Sequence, residues 1–306
     1  MPTFEHLLYE VDRGRARIIL NRPQKRNALS IAVLEELNRA LWESDNNKGV
    51  HCVILRGAGP SFCAGYDLTP SPNTSQTAGA EEGTAYRDGG IYNEPTIDDD
   101  IWRLEKAQRE RMALFDMHKP VIAQVHGYCI AGGTDIALLS DMVIAADDSI
   151  IGFPPARDLG SLPNQMWVYN CGPQWAKRLL LTGDTVTGKE AASIGLVMKS
   201  VPGDLLEQEV EGLADRMARI DPDLLAANKR IVNLGLELMG ARTLQRLAAE
   251  NDARAHLAPG TARFRQVAKE KGLKAALQAR DAEFGDGRAR VHGPEIRDSQ
   301  GRLIEG

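Results

Sequence analysis

Apolar positions in the first half of the chain fall into short compact runs separated by stretches of helical spacing. ARIIL (16–20), HCVIL (51–55), VIAQVH (121–126) and MVIAA (142–146) are rich in β-branched residues and bounded by polar, Gly or Pro residues. They read as buried strands. Between the first two, Ser30 precedes a segment with Val33, Leu34, Leu37 and Leu41 on one face and Glu35, Glu36 and Arg39 off it. A serine cap followed by that spacing predicts an amphipathic helix. Strands alternating with helices argue for an α/β core over 1–203. From 204 the pattern changes to helical periods over 204–220, 222–238, 240–256 and 261–281, broken at Pro222, Gly240 and Pro259-Gly260. This predicts a helical layer over 204–284 used in packing or oligomerisation. The last residues, 285–306, carry too few apolar side chains for a core and read as a tail or an arm wrapping a neighbour.

One stretch fits neither pattern. Residues 69–100 hold seven acids and a single Arg, with Gly and Pro scattered through them. Such a segment buries little apolar surface and is long for a connection, so it reads either as a disordered insertion or as a lid.

Composition narrows the function classes. The 306 residues are 43% hydrophobic and 26% charged, with a formal net charge of −5. The acidic balance argues against nucleic acid as a main partner. No apolar run reaches the ~20 residues of a membrane helix. The opening residues show no secretory pattern, and the cysteines Cys52, Cys63, Cys129 and Cys171 form no CxxC pair. Both features predict a cytoplasmic chain with reduced thiols. Neither a phosphate-binding loop, a G-x-S-x-G elbow nor an H-E-x-x-H helix occurs, and the histidines do not cluster, so no metal site is expected.

Two glycine-containing segments remain: PSFCAGYDL (60–68) and VHGYCIAGGTDIALLSD (125–141). In the second, Gly132 and Gly133 stand where a strand runs into a helix, so their N–H groups have no partner within that helix. Asp135 lies three residues after Gly132, on the same face. Free N–H groups beside a carboxyl suit a developing oxyanion and a proton transfer. On this segment alone the plainer reading is that Asp135 caps the first turn while the glycines permit close packing.

LNRPQKRNALS (20–30), SFCAGYDL (61–68), HGYCIAGGTDIALLSD (126–141) and AKRLLLTGDTVTGKEAASIGLVMKSVP (176–202), in this order, resemble the enoyl-CoA hydratase/isomerase (crotonase) family. The resemblance implies a superhelix of ββα units with C-terminal helices that build a homotrimer or a dimer of trimers. It implies an acyl-CoA thioester substrate, with coenzyme A entering as that thioester and no separate cofactor. Carried over by position, it makes the N–H groups of Ala64 and Gly132 the oxyanion hole and Asp135 an acid/base. It also places Tyr66, Asp67, Leu68 and Gly133 along the acyl groove, and Lys25, Arg26 and Ala28 against the CoA moiety.

The match has a gap. Hydratases of the family use two glutamates, and here Asp135 stands at the first position and Pro155 at the second. Water addition then requires a substitute such as Asp158, while double-bond isomerisation needs only one carboxyl. A non-catalytic acyl-CoA binder is a third outcome. Arg157 is a candidate to place a substrate carboxylate or to lower the Asp158 pKa, or else forms a plain ion pair. Residues 261–280 hold six Lys/Arg and one Glu, a basic face suited to the CoA phosphates.

Overall fold

The computed structural model describes residues 3–69 and 96–305. In chain order its elements are β1 (Leu7–Asp12), β2 (Arg15–Leu20), α1 (Ile31–Asn46), β3 (Cys52–Gly57), α2 (Ile97–Asp116), β4 (Val121–Val125), β5 (Tyr128–Ile130) and α3 (Gly132–Leu139). They continue with β6 (Met142–Ala146), β7 (Ile150–Gly152), α4 (Trp167–Thr182), β8 (Thr185–Thr187), α5 (Gly188–Ser193) and β9 (Lys199–Val201). The helical layer follows as α6 (Leu206–Met217), α7 (Pro222–Leu238), α8 (Ala241–Ala255), α9 (Pro259–Lys271) and α10 (Leu273–Asp281).

Six strands form one sheet in the order β1-β2-β3-β4-β6-β9, and β5-β7-β8 form a smaller one. Only β1 runs antiparallel in the large sheet, paired with β2 from Leu7↔Leu20 to Asp12↔Arg15. The parallel strands β3 and β4 are buried almost throughout, which is why they read as continuous apolar runs. β1 alternates buried and open positions as an edge strand does, and its LLYEVD sequence lacks the compact apolar run of its neighbours.

Ser30 does cap α1, its side chain accepting from the Val33 N–H at 3.3 Å. The main cluster buries the α1 stripe of Val33, Leu34, Leu37 and Leu41 against β2, β3 and β4. A second cluster joins the other face of the sheet, Cys52, Ile54, Ile122 and Ile144, to Leu206, Val210 and Ala214 of α6. The first helix of that layer, α6, is therefore part of the core.

Three expectations change. The stretch 69–100 ends as helix: Thr96 and Asp99 form a reciprocal capping box, and Asp98, Asp99 and Asp100 occupy the first turn of α2. Acids are stabilised there by the helix dipole. The lid or insertion reading otherwise falls on 70–95, outside the described residues. The segment 261–281 is two helices, because Gly272 sits at φ +86° between α9 and α10. Residues 285–305 lie on their own chain: the Thr185 N–H donates to the Gly287 carbonyl at 2.8 Å and the Ala289 N–H to the Thr185 carbonyl at 2.9 Å. Ala289 and Leu303 are buried there. An edge of β8 supplies the hydrogen bonds that a neighbour was expected to give.

Candidate active site

The site forms where the loop after β3 meets the start of α3. Asn27 sets the loop, its side-chain amide donating to the carbonyls of Ala58 at 2.9 Å and Ser61 at 2.8 Å. The chain then runs between two neighbours. Cys63 donates its N–H to Tyr128 of β5, while Ala64 and Asp67 donate theirs to Arg26 and Leu29 on the opposite side. A regular extended chain would send Ala64 and Tyr66 to the same side. Gly65, at φ +100°, breaks that alternation. The Tyr66 N–H is thereby left on the side of α3.

This geometry corrects the expected donor pair. The Ala64 N–H is consumed by the Arg26 carbonyl at 2.9 Å. Among the described residues the N–H groups of Tyr66 and Gly132 have no hydrogen-bond partner, and Gly132 opens α3, where none is available within the helix. The backbones are close: a Cβ built on Gly65 would lie 3.6 Å from the Gly132 nitrogen. Gly133 is a packing residue, since a Cβ there would meet the Cys63 carbonyl oxygen at 2.5 Å.

Asp135 is buried one turn into α3, at 2% exposure. The Tyr66 hydroxyl donates to its Oδ2, and its Oδ1 is buried without a partner among the described residues. Burial pushes its pKa up to about 7; the Arg111 charge and the Tyr66 hydrogen bond pull against that rise, and the Asp252 charge adds to it. A carboxyl poised near neutrality is suited to proton transfer. The Tyr66 ring lies across Gly132, so tightly that a Cβ there would come within 2.9 Å of three ring carbons.

The other expected residues divide. Lys25 is exposed and donates to Asp67 Oδ2 at 3.2 Å and Thr69 Oγ1 at 3.0 Å. Asp67 also pairs with Arg22 at 2.8 Å. Burial alone would raise its pKa, but the donors from Thr69, Arg22 and Lys25 outweigh that and hold it at about 2. Asp67 is thus a brace between two loops. Arg26 lies over the Tyr128 ring, 4.8 Å from its centroid. Ala28 belongs to the same brace, its carbonyl accepting from Arg22 at 2.6 Å. Leu68 packs at the edge of a small apolar cluster around Leu159 and Phe264.

Asp158 and Arg157 do not join Asp135. Burial raises the Asp158 pKa to about 6, and the charges acting on it are those of Arg280, Asp281, Arg157 and Arg263. Arg157 gives every arm to its own chain: Nε to the Thr182 carbonyl at 3.0 Å, Nη1 to Asp281 at 2.8 Å and Nη2 to Asp184 at 2.9 Å. Its guanidinium also lies 3.9 Å from the Phe284 ring centroid. A group so fully paired has nothing left for a substrate carboxylate. Cys63 is buried and its thiol is pushed up to about 12 by desolvation, which leaves it without nucleophilic character at neutral pH.

Two groups that sequence reasoning missed stand around Asp135. Arg111 of α2 is 1% exposed and donates from Nε to Asn164 Oδ1 at 2.6 Å. Asp252 of α8 is buried too, accepting from the Ser161 N–H at 2.8 Å, with His256 Nε2 at 3.4 Å. His256 in turn meets Asp100 at 2.5 Å. Burial raises the Asp252 pKa to about 6. A cavity of about 530 Å³ lies beside this layer against Phe153, Gly160, Leu162, Gln165 and Leu244, and Asp135 does not line it. Among the described residues no cluster of metal-ligating side chains occurs, and no helix is long and apolar enough to cross a membrane.

Two mixed sheets flanked by helices, with free backbone N–H groups beside a buried carboxyl, define a crotonase-type scaffold. Residues 10–89 and 83–287 match the family described as enoyl-CoA hydratase/isomerase, and the chain belongs to that family. It is 34% identical to an enoyl-CoA hydratase from Mycobacterium smegmatis, with a TM-score of 0.82 over 92% of this chain and 94% of that one. An enoyl-CoA hydratase/isomerase from Xanthobacter autotrophicus Py2 is also 34% identical, with a TM-score of 0.80 over 92% of this chain and 99% of that one. The crotonyl-CoA hydratase of Syntrophomonas wolfei is 30% identical over 286 residues, 92% of this chain and 98% of that protein.

Proposed function

We propose that this chain adds water to the double bond of a 2-enoyl-CoA thioester through an enolate held by the N–H groups of Tyr66 and Gly132. The observation that carries it is the pair of free donors beside Asp135, whose pKa is raised to about 7. A thioester oxygen that gains charge in the transition state is stabilised more than the ground-state carbonyl, and each such donor typically contributes ~10²–10³ in rate. Asp135 moves the proton, and Tyr66 orients Asp135 through its hydroxyl. Asp252, whose charge acts on Asp135, replaces Asp158 as the second carboxyl of the reading. Lys25 and Arg26, exposed on the turn before α1, meet the CoA phosphates. Coenzyme A enters as the thioester, and the reaction calls on no further cofactor.

The apolar face of α7, with Ile231, Val232 and Leu238 exposed, supports assembly as a homotrimer or a dimer of trimers. Double-bond isomerisation by Asp135 alone is a second reading. It is favoured by Pro155, which carries no proton, and by the pairing of the neighbouring Arg157 into its own chain. Turnover of crotonyl-CoA and of 3-enoyl-CoA in H₂¹⁸O separates the two. Label at C3 of the product supports hydration; unlabelled, rearranged product supports isomerisation; no turnover of any thioester rejects both.

A further inference from the structure

Arg111 is a buried cation with an unused arm. Its Nη2 is buried and has no hydrogen-bond partner among the described residues. The side chain is held rigidly all the same. Gln108 Nε2 donates to the Gln245 carbonyl at 2.6 Å and to that of Pro163 at 2.7 Å, pinning α2 to α8. Asn164 Nδ2 donates to Gln245 Oε1 at 3.0 Å, which turns the Asn164 oxygen toward Arg111 Nε. The guanidinium carbon is then 5.3 Å from the Tyr66 ring centroid, so it stands over the ring that covers Gly132.

A purely apolar acyl chain gains nothing from such a group. Burying a guanidinium without a paired anion is costly, and a water molecule supplies a hydrogen bond but no counter-charge. The carboxyl that its charge reaches, Asp135, keeps Oδ1 without a partner as well. The unpartnered Nη2 can donate to an anionic oxygen, and a planar guanidinium is shaped to take a carboxylate.

We propose that Arg111 selects acyl-CoA thioesters whose acyl chain carries a second carboxylate, which pairs with the free arm of Arg111 beside Tyr66 and Asp135. The inference rests on the acyl-CoA reading above and adds the substrate class to it.

The test compares 2-enoyl-CoA esters ending in a carboxylate, with one to three methylenes between it and the double bond, against their methyl-branched hydrocarbon isosteres. At the best length kcat/KM is expected to favour the carboxylate by at least about tenfold. That ratio should fall at least about tenfold in Arg111→Gln and less in Arg111→Lys, which keeps the charge. A ratio within one protein cancels any loss of folded enzyme, so a merely structural role would leave it unmoved. A ratio at or below one in the native protein, or one unchanged in Arg111→Gln, overturns the proposal. Should the variants fail to fold, inhibition of the native enzyme by saturated ω-carboxyacyl-CoA against its isostere decides, equal inhibition counting against it. Turnover of neither series would instead reject the acyl-CoA reading itself.

Discussion

Arg157 and Arg111 are both buried guanidinium groups, and the chain treats them in opposite ways. Arg157 donates to Asp184, Asp281 and the Thr182 carbonyl and stacks on Phe284, so its charge and geometry are satisfied within the fold. Arg111 is oriented by a single bond to Asn164 and keeps Nη2 free beside Tyr66. The first arrangement ties β8 to the end of α10, and nothing enters it. The second leaves a donor unused next to a carboxyl whose pKa burial has raised to about 7, which is how a reacting site differs from a structural one.

The largest effect should come from the reacting side. Asp135→Asn is expected to lower kcat by ~10²–10⁴, the usual contribution of a positioned acid/base, as measured by steady-state turnover. Its stability should respond in the other direction. Because the folded value of about 7 lies above the ordinary 3.8, the folded chain holds this proton more tightly than the unfolded one. Stability from Asp135 therefore falls as pH rises through that window. The variant should melt higher than the native protein at pH 8 and about level with it at pH 4; a melting point lowered at both would deny the raised pKa.

Arg157→Met should sharpen the contrast from the structural side. It removes one of the two arginines on buried Asp184, which keeps Arg178 at 2.8 Å, and frees Asp281, so a loss of about 1.5–3 kcal/mol is expected. Denaturant unfolding should register that loss, while kcat per folded molecule stays within about twofold. A selective change in substrate preference would place Arg157 back in the site.

Smaller changes follow within the site. Tyr66→Phe removes a donor that holds the Asp135 pKa down. The acidic limb of the kcat/KM profile should move to higher pH, with a loss of up to about tenfold at neutrality. Lys25→Met, at an exposed position, should raise KM for the thioester only a few-fold, and the difference should shrink as salt is added.

What could be read from the sequence, and what could not, follows the same division. The buried strands, α1 and the Gly132–Asp135 turn announce themselves by local pattern, since a parallel strand is apolar throughout and a helix start needs few residues to declare it. The donor opposite Gly132 does not. The family resemblance points to Ala64, and only the positive φ of Gly65 carries the free N–H on to Tyr66. Arg111 and Asp252 were hidden by belonging to distant helices, yet a signal exists. In α2 the buried stripe runs Leu104, Gln108, Arg111, Met112, Phe115, and in α8 it runs Gln245, Ala248, Ala249, Asp252, Ala253. Polar residues standing on an otherwise apolar stripe are candidates for a site. The acidic start of α2 masked its helix by looking like loop, although three acids in a first turn suit the dipole.

The most direct test of the central claim needs neither hydration nor isomerisation. Solvent deuterium uptake at the α-carbon of butyryl-CoA, followed by NMR in D₂O, reports only whether the Tyr66 and Gly132 donors stabilise an enolate that Asp135 forms. Exchange is expected in the native protein and should fall at least about a hundredfold in Asp135→Asn. Exchange at the same rate in both proteins, or none in the native enzyme, would contradict the account.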